Sequence, residues 1–232
     1  MTAVELASGL WRVPTAPHDL VNSFLLTNPD GSLTLVDAGL RNAHKKVLAA
    51  LAQLGRAPED VTRILMTHAH NDHAGGLAGA QRATGAMVMS HDREGVYLRD
   101  GRPPGLDTRR FSGRLMSRLP GRGFAKVEVG ETFADGALLE CGVRVVHTPG
   151  HSPGHCSYLH EATGVLITGD AIFNVRGLRY SPALFCTDVT QSRETAAVLG
   201  ELDYETAAFT HGAHISRGAR EAVRAFLAGR PS

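Results

Sequence analysis

Short apolar runs and alternations of apolar with polar residues recur along this chain and predict β-strands. Runs of three to six residues suit strands, because helical patterns in globular proteins extend over longer stretches. Together these runs provide the strands of the predicted fold. They are residues 10–13, 21–26, 33–36, 64–66, 87–89, 143–146, 156–159, 165–167 and 207–209.

Apolar residues at helical spacing separate these strands. The pattern predicts helices at residues 42–54, 76–83, 193–202 and 217–227, the last with a continuous apolar face. Strands and helices interleave, which is typical of an α/β fold. The order of elements also indicates two related halves, because each half combines strands and a helix with a polar turn.

Composition and charge argue against several classes of protein, including nucleic-acid-binding, membrane-binding and disulfide-rich proteins. The 232 residues carry 24 Lys and Arg against 23 Asp and Glu, a formal charge of +1, so no global field attracts nucleic acid or an anionic membrane. This length suits a single domain over residues 1–232. The first residues lack a basic stretch followed by an apolar one, so we expect a cytoplasmic protein. Three cysteines are too few for a disulfide framework and are expected to pack in the core.

Residues 99–126 differ from the rest of the chain. They contain seven Arg and one Lys against two Asp, with Gly and Pro at both ends and a predicted helix near residues 108–119. One interpretation is a solvated insertion, since runs of charge usually face water. The other is a lid whose Arg109 and Arg110 meet an acidic group of the substrate.

The string Thr-His-Ala-His-Asn-Asp-His-Ala-Gly-Gly at residues 67–76 follows a predicted strand. Alternate side chains of an extended segment share a face, so His68 and His70 point to one spot. A turn after them lets Asp72 and His73 face another spot. The string therefore predicts two adjacent metal positions.

Further candidate ligands stand where other predicted strands end. His151 lies in a Gly and Pro turn, Asp170 follows the strand at 165–167, and His211 follows the strand at 207–209. Polar residues at strand ends are suited to a site on the rim of a rigid sheet.

These residues resemble the motif of the metallo-β-lactamase fold superfamily of metallohydrolases, and the resemblance covers nearly the whole chain. It implies a four-layer αβ/βα sandwich with a site for two metal ions between two sheets. Asp72 and Asp170 carry over as catalytic residues, with Asp170 bridging the ions. The resemblance assigns His68, His70 and His151 to one metal and Asp72, His73 and His211 to the other. Asp37, His155 and His214 are expected to support the site without binding metal.

The ligand types and the resemblance together predict the chemistry. Imidazoles and carboxylates suit Zn²⁺, Mn²⁺ or Fe, with zinc the default. Two ions about 3.5–4 Å apart hold a bridging hydroxide that attacks an ester, thioester or lactone bond of a small substrate. Phe173 stands where related lactonases place a tyrosine, so Phe173, Arg109 and Arg110 are candidate substrate contacts.

Two alternatives remain from the sequence. A persulfide dioxygenase would hold a single iron on His68, His151 and Asp170. A metal-dependent nuclease or phosphodiesterase would use the basic residues 99–126, although neither nucleic acid nor a membrane is the expected partner. Metal content separates the first alternative from the hydrolase, because the hydrolase needs two ions.

Overall fold

The structure, a computed structural model, describes residues 2–118 and 123–229. Its larger sheet has seven strands whose order in space follows their order along the chain. Short apolar runs form these strands, as the sequence predicts. They are β1 (Val4–Ala7), β2 (Leu10–Pro14), β3 (Asn22–Thr27), β4 (Leu33–Val36), β5 (Val61–Leu65), β6 (Met87–His91) and β7 (Glu131–Phe133).

The larger sheet changes from antiparallel to parallel pairing at β4. Strands β1 to β4 pair antiparallel through short turns, whereas β4 to β7 run parallel. Parallel neighbours need a crossover, and helices occupy each of these connections. The crossover helices are α1 (His44–Gln53), α2 (Asn71–Ala74), α3 (Leu77–Thr84), α4 (Gly95–Asp100) and α5 (Phe111–Met116).

A second sheet has four strands in the order β13, β10, β9, β8, and β13 runs parallel to β10. A separate two-stranded ribbon follows β10, and two more helices cover the second sheet. These elements are β8 (Val143–His147), β9 (Cys156–His160), β10 (Val165–Ile167), β11 (Ile172–Asn174), β12 (Leu178–Tyr180), α6 (Val189–Ala196), β13 (Thr206–Ala208) and α7 (Ala219–Leu227).

Three buried apolar clusters define four layers. The first packs α1 and α3 on the larger sheet, the second fills the space between the sheets, and the third packs the second sheet against α7. Burial of apolar area in these layers drives the fold. The structure therefore confirms the expected αβ/βα sandwich. Representative residues are Leu51 and Ile64 in the first cluster, Phe24 and Tyr158 in the second, and Phe209 and Val223 in the third.

All nine predicted strands are present within a few residues, but four short strands escaped prediction. Strands β1, β7 and β12 are mostly intermediate or exposed along their length, so their sequences lack an apolar run. Strand β11 is mostly buried but has only three residues, too few for a clear pattern. The helix expected at 193–202 instead begins at Val189, where the Asp188 side chain caps the helix by accepting from the Gln191 N–H. Helix α6 ends at Ala196, and a 3₁₀ helix follows at Ala197–Gly200.

The helix expected near 108–119 spans Phe111–Met116, and its expected end at residue 119 lies outside the described residues. The three cysteines are buried and free, as packing residues would be.

Within the described ranges, no helix has both the length and the apolar content that crossing a membrane requires.

Candidate metal centre

The 67–76 loop leaves the end of β5 and packs directly on the turn after β4. The Thr67 backbone N–H donates to Asp37 Oδ1 at 2.9 Å, and the Thr67 hydroxyl donates to Oδ2 at 2.7 Å. The backbones approach so closely that a Cβ on Gly76 would lie 2.2 Å from the Ala38 carbonyl oxygen. Glycine is therefore required at this position of the motif, and the loop is held rigidly at the sheet edge.

Three imidazole nitrogens converge to form what we call the first cluster: His68, His70 and His151. His68 Nε2 lies 3.1 Å from His70 Nδ1 and 3.1 Å from His151 Nε2, and His70 Nδ1 lies 2.8 Å from His151 Nε2. The His68 and His151 side chains are buried. The three nitrogens form a compact triangle that could hold one ion.

Asp72, His73 and His211 form the second cluster. His73 Nε2 lies 3.3 Å from His211 Nε2, and Asp72 Oδ2 lies 3.5 Å from His211 Nε2 and 3.9 Å from His73 Nε2. His73 is buried, whereas about a third of the Asp72 side chain is exposed. This cluster could hold a second ion on the more open side of the site.

Asp170 lies between the two clusters and faces both. Its Oδ1 is 3.2 Å from Nε2 of His73 and 3.2 Å from Nε2 of His211. Its Oδ2 is 3.2 Å from His151 Nε2. The Thr210 hydroxyl donates to Oδ1 at 2.8 Å and fixes the carboxylate. One carboxylate thus offers a different oxygen to each cluster, the arrangement expected of a bridging ligand.

The outward nitrogens of four imidazoles contact groups of the protein. His73 Nδ1–H donates to Asp37 Oδ2 at 2.8 Å, and His211 Nδ1–H donates to the Leu20 carbonyl. His151 Nδ1 is 2.8 Å from Ser181 Oγ, and His68 Nδ1 is 3.1 Å from Thr67 Oγ1. Such contacts fix the ring orientation and the tautomer. The inward nitrogens are left free to act as ligands. The imidazoles concerned are His68, His73, His151 and His211.

The two clusters differ in protonation. Burial lowers the pKa of His70 to about 4 and holds those of His68 and His151 well below the usual histidine value. Burial also opposes charge on His73 and His211, but the nearby carboxylates, Asp170 foremost, outweigh it and raise the pKa of both rings. The first cluster is therefore neutral near pH 7, while the second favours protonated imidazole when no metal is bound.

Asp37 and His155, both expected as supporting residues, contact parts of the site. The Asp170 backbone N–H donates to His155 Nε2 at 2.8 Å, and His155 Nδ1–H donates to the Thr148 carbonyl at 3.0 Å. His155 therefore holds the Asp170 turn, while Asp37 orients His73. His214 lies beside Arg12 and Asp19 and does not join either cluster.

The three candidate substrate contacts have different surroundings. The Phe173 ring is 4.3 Å from the His211 ring and forms a wall of the second cluster. Arg109 forms ion pairs with Asp107 at 2.9 Å and with Asp188 at 2.7 Å, and these pairs secure the basic segment at the start of α6. Arg110 is exposed.

Sequence reasoning missed Glu94, a fully buried carboxylate beside the first cluster. Its oxygens accept hydrogen bonds from Ala69, Ser152 and Gly154. Burial raises the pKa of Glu94 to about 7 against these three hydrogen bonds, which lower it. Glu94 belongs to no recognisable motif. The sequence signal for it was its position shortly after the predicted strand at 87–89.

Comparison with known proteins agrees with this geometry. Residues 16–211 match the family model of the metallo-beta-lactamase superfamily. The chain belongs to this superfamily and is a metallo-hydrolase of it. Members generally bind divalent metals, and the convergent His and Asp groups of this chain could bind them.

Three similar proteins illustrate the relationship. The probable metallo-hydrolase YybB of Bacillus subtilis is 25% identical over 183 residues, covering 78% of this chain and 76% of that relative. A hydroxyacylglutathione hydrolase of Polaromonas is 33% identical over 132 residues, or 56% of this chain, and the matched part spans only 40% of that relative. The metallo-beta-lactamase family protein TTHA1429 of Thermus thermophilus superimposes with a TM-score of 0.75 at 26% identity, covering 97% of this chain and 80% of that one.

Proposed function

We propose that this chain hydrolyses an ester, thioester or lactone bond of a small substrate with two divalent metal ions, zinc first and Mn²⁺ or Fe as alternatives. The first cluster would hold one ion and the second cluster the other, with Asp170 contacting both. The observation that carries this proposal is the division of the Asp170 oxygens between two complete sets of donors.

The donor geometry supports metal binding at both positions. Zinc–nitrogen bonds of about 2.0–2.1 Å in tetrahedral geometry separate two ligand nitrogens by about 3.3 Å. The inward nitrogens of His68 and His151 are 3.1 Å apart, and those of His73 and His211 are 3.3 Å apart. Only small adjustments would therefore be needed to admit the ions.

When bound, a pair of divalent ions supplies Lewis acidity and lowers the pKa of water toward about 7. The chain supplies the remaining requirements. Its imidazoles would hold the ions, and their orientations are fixed by the contacts of the outward nitrogens. Asp170 would contribute one oxygen to each position. Asp72, which is partly exposed, faces the open side of the site. Phe173 excludes water beside His211, because its ring covers one side of that imidazole.

The substrate class rests on the relatives and on the donor set. The similar hydroxyacylglutathione hydrolase supports a thioester, although this chain spans less than half of that protein. The oxygen and nitrogen ligands serve ester, thioester and lactone hydrolysis equally, because in each case a carbonyl is polarised. A complete second cluster favours hydrolysis with two ions over dioxygenation with one iron, since the dioxygenase would leave Asp72, His73 and His211 without a role.

Metal content and hydrolysis of a substrate panel test this proposal. Protein purified without chelators should contain about two Zn or Mn ions per chain and hydrolyse one of the three bond classes. His211→Ala should retain about one ion and lose most activity. His160→Ala is the matched control, because His160 contacts Thr163 on the far side of the second sheet. One iron per chain with oxygen consumption would support the dioxygenase instead.

A further inference from the structure

Glu94 is a buried carboxylate between the two loops that supply the first cluster. Its Oε1 accepts from the Ala69 backbone N–H at 2.8 Å, and its Oε2 accepts from the Ser152 hydroxyl at 2.9 Å and the Gly154 backbone N–H at 2.8 Å. Its own N–H donates to the His91 carbonyl, which ties it to the end of β6. One side chain thus joins the 67–76 loop to the 147–155 loop.

The donors to Glu94 are immediate neighbours of the first cluster. Ala69 lies between His68 and His70, and Ser152 directly follows His151. The 147–155 loop also approaches the Glu94 backbone closely, since a Cβ on Gly154 would lie 2.7 Å from the Glu94 backbone nitrogen. A shift of the Glu94 side chain would therefore move the backbones that carry all three imidazoles.

We infer that Glu94 is a positioning residue that sets the distance between the two ligand loops and thereby the metal affinity of the first cluster. This inference rests on the proposed function, because it assumes that His68, His70 and His151 bind metal. It assigns a role to Glu94, a buried acidic side chain that belongs to neither ligand set.

The hydrogen-bond pattern explains why a carboxylate is needed. Both oxygens face donors, and two of the three donors are backbone N–H groups that cannot reverse their role. Glutamine has only one acceptor oxygen, so its amide NH₂ would face a backbone N–H in either orientation. Glu94→Gln preserves the size of the side chain but breaks at least one link between the loops.

Zinc affinity measured for each cluster separately tests the inference. In a His211→Ala background only the first cluster is complete, and in a His151→Ala background only the second is complete. Adding Glu94→Gln should weaken zinc binding, measured by chelator competition, at least about 10-fold in the first background. In the second background the affinity should change less than about 2-fold, because Asp37 supports His73 independently.

Ser152→Ala provides a second variant that keeps the Glu94 charge and removes one donor. We expect weaker zinc binding in the same direction, by about 3-fold, in the His211→Ala background. Thr34→Ala is the matched control, since it removes a buried hydroxyl that donates to Asn28 Oδ1 far from the ligand loops. It should leave the affinity of both clusters unchanged.

Three results would overturn the inference. Equal losses in both backgrounds would reduce Glu94 to a general stabilising residue. Unchanged affinity in the His211→Ala background for both Glu94→Gln and Ser152→Ala would exclude any role in metal affinity. Failure of both parent backgrounds to bind zinc would refute the proposed metal function and the Glu94 role with it, and this result is recognised before Glu94 is altered.

Discussion

The first and second clusters lie side by side yet use opposite electrostatics. The first combines three imidazoles whose pKa values burial lowers, and its supporting carboxylate, Glu94, contacts two backbone N–H groups and the Ser152 hydroxyl but no imidazole. The second combines two imidazoles with Asp72, and Asp37 contacts His73 directly. Asp170 faces both clusters. The first cluster is thus prepared for a cation mainly by its shape, and the second by its additional negative charge.

Both clusters draw on both halves of the chain. Each takes two ligands from the 67–76 loop and a third from beyond residue 150, and Asp170 connects the clusters from the end of β10. The packing of the two sheets therefore determines both sites together. Removing the shared carboxylate should affect both clusters, whereas removing a supporting residue should affect only one.

The largest effect is expected for Asp170→Asn. The amide cannot offer a negatively charged oxygen to each cluster, so both ions should bind more weakly. We expect kcat to fall more than about 100-fold, beyond the loss that a supporting residue causes. Metal content and steady-state kinetics measure the effect. Retention of two ions and wild-type kcat would contradict the bridging role, and Glu161→Gln on the surface serves as the control.

Asp37→Asn should weaken the second cluster selectively. It replaces the oxygen that accepts from His73 Nδ1–H and the Thr67 hydroxyl, so His73 loses its fixed orientation. Zinc affinity of the second cluster should fall about 10- to 100-fold. The first cluster should lose less, because Asp37 reaches His68 only through Thr67. Chelator competition in the His151→Ala and His211→Ala backgrounds measures the zinc affinities of the second and the first cluster separately. A larger loss at the first cluster would contradict the assignment.

Proton release should differ between the clusters. The raised pKa values of His73 and His211 mean that the metal-free second cluster holds protons, which zinc must displace. Its zinc affinity should rise with pH, by about tenfold per pH unit for each proton released, until pH reaches the raised pKa values of the two rings. The first cluster, already neutral, should show a weak dependence. Calorimetry in buffers of different ionisation enthalpy counts the protons, and equal release at both clusters would refute the contrast.

The pKa shifts of the five histidines also predict how the stability of the metal-free protein changes with pH. Imidazolium at His73 and His211 stabilises the fold below about pH 6.5, and this contribution is lost as pH rises through the raised values. The lowered pKa values of His68, His70 and His151 have the opposite effect. Below about pH 6.5 these rings take up protons in the unfolded chain but stay neutral in the fold, so the fold loses stability as pH falls. The two clusters therefore make opposing contributions to the pH dependence of stability in the metal-free protein.

The smallest effect is expected on the basic segment. Arg109 is held by Asp107 and Asp188, so Arg110 is the residue whose charge is available if the segment acts as a lid. Arg110→Glu should raise KM for an anionic substrate by about 3-fold and leave kcat unchanged. Arg82→Glu on α3 is the control. An unchanged KM would indicate a solvated insertion.

Much of the site could be predicted from the sequence, because its ligands form a dense local motif or stand at the ends of apolar strands. His68, His70, Asp72 and His73 needed only their mutual spacing. Phe173, a candidate substrate contact, lies 4.3 Å from the His211 ring, since it follows Asp170 closely. His214, expected as a supporting residue, belongs to none of the ligand groups found among the described residues.

The residue pattern alone indicates which residue types are available for metal and where nine of the strands lie. Those properties depend on local spacing and on apolar periodicity, which the chain carries without its fold. Only the tertiary structure decided that His68 meets His151, 83 positions away, and that the Asp170 oxygens divide between the clusters. It also decided that Glu94 joins two loops and that Asp107 and Asp188 engage Arg109. Contacts of this kind arise when two sheets pack on one another, and no local pattern encodes them.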